Sequence, residues 1–336
     1  MKKLDREGYR RYLTDREQPI PDEKIGPAIE MVERFEEFVK KTKKTLESAT
    51  SSEVNKFSKI LIEEKLNTYD SYVALSRYGY FVKNLDFYLA VLELLDGAEV
   101  MDVLRERLGE AAGETIRDEV FEGIEAPLGL PSVQKPAVTK AVLDRMKALV
   151  TPEDCKKALV GTAHGIPKEW YKQEREKFLA AKDIDEYIAK KRGNAIAELE
   201  KHRDEGTLFY NQEITDEVVE FVRSRPDMLS GMRDGGKIVH TKIPYLTKDY
   251  LAETDERKKR YYACHCAWAR ETILDDELDV PSSFCYCSGG FTKQPWEVAL
   301  NQPLEVKMVK SVLKGDMECT FIIPLPSEVV DKAGHS

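Results

Sequence analysis

Five of the six cysteines fall between residues 264 and 319, and four of them form two Cys-x-Cys pairs, Cys264/Cys266 and Cys285/Cys287, with Cys319 following. This spacing constrains the fold more than any other feature, because it asks three separated segments to serve one purpose. In a thiol-preserving compartment, clustered cysteines are metal ligands or redox groups more often than structural disulfides. Two thiolate pairs brought together by one loop supply four sulfur ligands, the donor set of tetrahedral zinc. Four thiolates also hold iron–sulfur clusters. Zinc knuckles usually place two residues between ligands. With one residue between, both side chains point together only in extended or turn geometry. A set of one cysteine from each pair, Cys319 and a fourth group therefore stands beside the four-cysteine set. Free cysteines also serve as small buried hydrophobes, but core cysteines scatter, and Cys155 is the one that stands alone.

The residues around the cysteines are of functional type. Ser288-Gly289-Gly290-Phe291 permits close backbone approach to a ligand or metal. Trp268, Arg270, Tyr286 and Trp296 are the candidate ligand-binding residues. Trp296 reads as a core anchor before it reads as a substrate platform. Arg270 and Glu271 fall in the first turn of a helix expected to begin near Ala267. His265 is a weaker metal candidate than the softer thiols flanking it. His164 and His240 read as surface or satisfied core histidines.

The rest of the 336-residue chain reads as α+β. Residues 1–125 form a helical module, with Met31, Phe35, Phe38 and Val39 at helical spacing. Thr50-Ser51-Ser52-Glu53 is a capping box, in which hydroxyl and carboxylate satisfy orphan N–H groups. Tyr69, Tyr72, Tyr78, Tyr80 and Tyr88 read as core residues with the hydroxyl at an edge. Residues 123–136 hold three prolines and two glycines, an irregular connection. A domain over 136–336 follows. Thr151-Pro152 starts a helix, and further helices are expected over 168–181, 184–203 and 215–224. After Gly235-Gly236 the texture changes. Residues 237–243 alternate like a strand. Leu304 to Leu313 and Cys319 to Ile323 read as an antiparallel hairpin about the turn Lys314-Gly315-Asp316.

Composition narrows the classes. A net charge of −9 gains nothing from a phosphate backbone, so nucleic acid is not an expected partner. No apolar run is long enough for a membrane span, and the first residues, Met1-Lys2-Lys3-Leu4-Asp5-Arg6-Glu7, lack the apolar stretch of a secretion signal. The expected compartment is the cytoplasm.

The C-terminal segment has a family likeness. Cys285-Tyr286-Cys287-Ser288-Gly289-Gly290-Phe291, then Trp296-Glu297-x-x-Leu300-x-x-Pro303-Leu304-Glu305-Val306, then Leu313-Lys314-Gly315-Asp316-x-x-Cys319-x-Phe321-x-Ile323, resembles the four-vinyl-reductase-type sensor domain. It is also similar to the aminothiazoline-carboxylate hydrolase-like family. The resemblance covers about residues 261–326. It implies an α+β ligand-binding fold with a structural zinc beside the pocket, held in part by Cys285 and Cys319. Ser311 stands where the family has an intervening cysteine, and Met308 where it has a glutamate. Cys264, Cys266 and Cys287 are the residues available to replace them.

The expectation is a small-molecule-binding protein with a cysteine-ligated zinc near its pocket, an iron–sulfur cluster being the alternative cofactor. A metal- or cysteine-dependent hydrolase and a thiol redox sensor are the other readings. A small molecule is the expected partner, and a homodimer is compatible with the chain.

Overall fold

The computed structural model describes residues 4–329. The chain divides into two compact units that are not consecutive in sequence. The first takes the chain up to Ala98 together with Glu125–Lys135, and the second takes Glu99–Ile124 and everything from Pro136 onward. The Pro/Gly-rich stretch is thus not a simple border. The chain leaves the first unit, makes two helices of the second, and returns through residues 125–135 before crossing again.

The first unit is helical: α1 (Arg6–Thr14), α2 (Asp22–Lys41), α3 (Ser51–Glu63), α4 (Tyr69–Phe81) and α5 (Leu85–Leu95). The capping box forms at the start of α3, where Thr50 N–H donates to Glu53 Oε2 at 3.1 Å. Val32, Phe35, Phe57, Leu61, Phe87 and Val91 fill its interior. Of the tyrosines, Tyr72 and Tyr78 are buried, while Tyr69 and Tyr80 are exposed.

The second unit begins with α6 (Val100–Ala112) and α7 (Glu114–Phe121), then α8 (Lys135–Leu149, all but its first residue) and α9 (Pro152–Thr162). Thr151 caps α9, its hydroxyl accepting from Asp154 N–H at 3.1 Å. Next come α10 (Lys172–Leu179), α11 (Ile184–Glu205), the short hairpin β1 (Leu208–Phe209) and β2 (Gln212–Glu213), and α12 (Asp216–Ser224). β3 (Met232–Asp234) and β4 (Lys237–Thr241) precede α13 (Thr247–Ala252), α14 (Glu256–Ala263) and α15 (Tyr286–Leu300). β5 (Lys307–Lys310) and β6 (Thr320–Pro324) end the sheet.

The larger sheet has the order β3-β4-β6-β5, antiparallel throughout. The expected hairpin is β5 with β6, in the register Lys307 to Ile322. Its joining segment holds a 3₁₀ turn, Val312–Lys314, and Gly315 at φ +98°, a conformation only glycine takes without strain. β4 inserts beside β6, with Ile238 opposite Ile323 and Thr241 opposite Thr320. Trp296, Leu300, Val306, Ile238, Phe321 and Ile323 form the core between α15 and this sheet.

No helix begins near Ala267. The Cys266 carbonyl accepts from both Ala269 N–H and Arg270 N–H, making a tight turn into a 3₁₀ helix at Arg270–Ile273. Ala267, Trp268, Ala269 and Arg270 are all buried. Four consecutive buried residues do not fit a surface helix with one apolar stripe.

Candidate functional site

The cysteines reach one cavity from three directions. Cys264 is the C-cap of α14, and Cys266 follows it. Cys285 ends the 3₁₀ turn Ser282–Cys285 that leads into α15, and Cys287 lies in the first turn of that helix. Cys319 immediately precedes β6. All five line a cavity of about 20 Å³, with His164, His265, Lys242 and Ser288, and with Phe284 and Val312 as its apolar wall.

Local structure explains how ordinary residues join them. α9 is followed by three residues of positive φ, Ala163, His164 and Gly165, which turn the chain sharply and bring His164 against α15. The two helices approach so closely at Gly290 that an added Cβ would lie 1.8 Å from the Val160 carbonyl oxygen. Only glycine allows that contact. Lys242 follows β4, and its N–H donates to the Cys319 carbonyl at 3.0 Å, which continues the β4–β6 ladder by one rung.

The polar contacts fall into two groups. On one side, Ser311 Oγ donates to Cys285 Sγ at 3.1 Å, and Ser311 is fully buried. Its own N–H is held by Asp316 at 2.8 Å. Ser311 is therefore in contact with the sulfur of Cys285. On the other side, His164 N–H donates to Cys287 Sγ at 3.1 Å, and His164 Nδ1 is 3.9 Å from that sulfur. His164 Nε2 lies 3.1 Å from Ser288 Oγ, and Lys242 Nζ donates to the same oxygen at 2.9 Å. His265 Nε2 is held by the Ile243 carbonyl.

Burial dominates the electrostatics. It pushes the Cys285 thiol well up, and charge on Cys319, Cys264 and Cys266 would push it further. Burial likewise raises Cys264, with Cys266 and Cys319 adding to it. Cys319 is raised by burial too. Cys287 is pushed up to about 11 by burial, restrained by the His164 N–H and by Lys242. Burial lowers Lys242, and lowers His164 and His265 together with the charge of Lys242. Burial thus favours neutral thiols and neutral imidazoles, which are poor nucleophiles by themselves. A thiophilic cation would take the place of the thiol protons.

Among the described residues, no three His, Cys, Asp or Glu side chains already stand at the spacing of a formed ion site. The donor chemistry suits a soft or borderline ion; the side chains are arranged around a space, not clenched on one.

The four candidate ligand-binding residues sit elsewhere. Trp268 is buried, its carbonyl accepting from Thr139 Oγ1 at 2.7 Å. Arg270 is buried with its guanidinium 4.8 Å from the Tyr245 ring and 5.4 Å from that of Tyr261. Tyr286 is half-buried, with the Lys156 ammonium 5.3 Å from its ring. Trp296 is a core anchor, edge-on to Tyr187 at 5.8 Å. None of the four lines the cavity. His164, His265 and Lys242 do, and composition gave them no prominence. The available signal was Lys242, a lysine two and four residues beyond His240 and Ile238 on one face of an alternating strand.

No family model, curated protein or solved structure matches the chain.

Proposed function

We propose that the second unit is a cytoplasmic small-molecule-binding domain organised by a zinc ion on the thiolates of Cys264, Cys266, Cys285 and Cys319. The observation that carries this reading is the convergence of five cysteines from three chain segments on one cavity. Its free volume of about 20 Å³ is room for about one water or one ion. That favours a single ion over a four-iron cluster. Cys287 Sγ already accepts from the backbone N–H of His164 at 3.1 Å, so it is the sulfur we leave out of the set. Zinc would tie the end of α14 and the start of α15 to β6, so its binding energy would be folding energy. The small-molecule ligand rests on the likeness of residues 261–326 to the sensor domain.

The test is elemental analysis of the full chain purified without oxygen. About one zinc per chain is expected, lost in Cys285→Ser and Cys319→Ser and kept in Cys287→Ser. Full zinc in both of the first two variants sinks the assignment. Brown colour with visible absorbance would replace zinc by an iron–sulfur cluster.

A hydrolase reading draws on the Cys287–His164–Ser288 arrangement, which has the order of nucleophile, base and orienting group. There the Cys287 proton passes to His164 Nδ1 as sulfur adds to an electrophilic carbon, the leaving group departs with that proton, and water releases the product. This reading requires Cys287→Ser to abolish turnover while zinc stays bound.

A further inference from the structure

We propose that Lys242 is the built-in counter-cation of the thiolate centre and sets its affinity for a divalent metal. The inference rests on the metal reading above and concerns a residue outside the ligand set. Lys242 presents an unusual charge problem. No carboxylate of a described residue lies within ion-pair distance of its ammonium, which is held by Ser288 Oγ at 2.9 Å and His164 Nε2 at 3.4 Å. The ring of Phe291 lies 5.2 Å away on another side. A half-buried cation without a counter-charge is costly. The groups that can supply one are the thiols that line the same cavity as Lys242, among them Cys264, Cys266, Cys285 and Cys319.

Four thiolates around a divalent ion leave two negative charges uncompensated. In a site walled by Phe284 and Val312, that surplus is poorly screened. One ammonium fixed beside it removes half of the surplus without any ligand having to change. The backbone places it there: the Lys242 N–H to Cys319 carbonyl bond pins the lysine to the strand that delivers a metal ligand. The lysine therefore completes the centre, and the centre completes the lysine. A free anion is the other conceivable partner for Lys242, but it would approach a site that already carries net negative charge. Ser288 and neutral His164 then act as positioning groups, holding the ammonium by hydrogen bonds that cost no opposing charge.

The experiment uses the full chain as wild type, Lys242→Met and Lys242→Arg, loaded with zinc and competed against a chelator of known affinity. Lys242→Met should bind zinc about 10- to 100-fold more weakly, the usual effect of losing an outer partner of a metal ligand. Lys242→Arg should recover most of the loss. Melting the zinc-loaded and zinc-stripped forms separates this role from plain packing. Loaded Lys242→Met should melt below loaded wild type, while stripped Lys242→Met should melt no lower than stripped wild type. Equal zinc affinity in Lys242→Met and wild type, or equal lowering of both melting points, overturns the inference alone. A wild-type chain that takes up no zinc overturns the metal reading and this inference with it.

Discussion

The two units solve the problem of a closed interior with different materials. In the first, rings fill the space: Phe35 stacks on Phe87 at 4.9 Å and meets Phe57 at 5.1 Å, and Tyr9 meets Tyr78 edge-on at 4.9 Å. The phenol of Tyr9 finds a carbonyl, that of Ala74, at 2.9 Å. In the second, the space enclosed by the starts of α15 and β6 and the end of α14 is walled by sulfur, imidazole and an ammonium. A core of rings is finished by folding, because dispersion and burial need no further partner. On the zinc reading proposed above, a cavity walled by thiols is finished by the ion they bind. The first unit should therefore depend on packing, the second on what fills its cavity.

Stripping zinc, or removing a ligand by Cys285→Ser or Cys319→Ser, is the strongest challenge to that contrast. Structural zinc contributes on the order of 10 kcal/mol in small zinc-folded domains, and serine does not replace a thiolate on a borderline-soft ion. Hydrogen exchange should loosen β5, β6 and the start of α15 while α2 to α5 keep their protection. Equal loosening of both units would erase the distinction.

Phe35→Ala tests the other side. Phe35 is fully buried, and its truncation should destabilise the first unit by about 3–5 kcal/mol. Zinc stoichiometry should not change. A fall in zinc content would show that the two interiors are one system.

Acid probes a smaller, shared feature. Each unit holds a buried carboxylate with a depressed pKa, Glu53 in the first and Glu174 in the second. Burial raises Glu53, but hydrogen bonds from Lys44 and Thr50 and the charge of Lys44 outweigh it and hold the carboxyl at about 2. Burial raises Glu174, and the charge of Lys191 with hydrogen bonds from Lys177, Lys191 and Tyr187 brings it to about 2. Both folded values are depressed. The stability they confer is present above the ordinary value of 4.5 and is lost as pH falls from there toward 2. Glu174→Gln should lower stability at pH 7 by about 2 kcal/mol, the range for a hydrogen bond to a charged group, and should flatten the acid limb. An unchanged acid limb in that variant would show that Glu174 is not ionised by its neighbours.

Local signals were readable and long-range ones were not. The Thr50–Glu53 box and the Thr151 cap each depend on residues three apart, so the sequence displays them whole. The β5–β6 hairpin is legible because alternation and the Gly315 turn lie in one stretch. That β4 would enter beside β6 is invisible, since its partner lies about 80 residues on and any alternating strand satisfies the same pattern. The cavity divides in the same way. Cysteines advertise themselves by rarity and spacing. His164 and Lys242 reach the site through a left-handed turn at the end of α9 and one extra rung of a strand pair, and neither leaves a local mark. The aromatic and charged residues near the cysteines in sequence, Trp268, Arg270, Tyr286 and Trp296, lie instead in the surrounding packing.

The smallest expected effect is the most economical control. Cys155 belongs to the same unit as the other five cysteines but lies in α9, away from the cavity. Its Sγ points at the carbonyls of Met146 and Val150, at 3.6 and 3.8 Å, and burial with the Asp154 charge raises its thiol. A serine hydroxyl is a better donor to those carbonyls than a thiol, so the polar contacts survive substitution. The lost polarizable sulfur is half-exposed, and changes at such positions stay within about 0.5 kcal/mol. Cys155→Ser should thus keep full zinc and a melting temperature within about 2 °C of wild type. If it sheds zinc as Cys285→Ser is expected to, metal loss follows from any cysteine change in this unit, and the sulfur-walled cavity loses its claim to be the place where the second unit is finished.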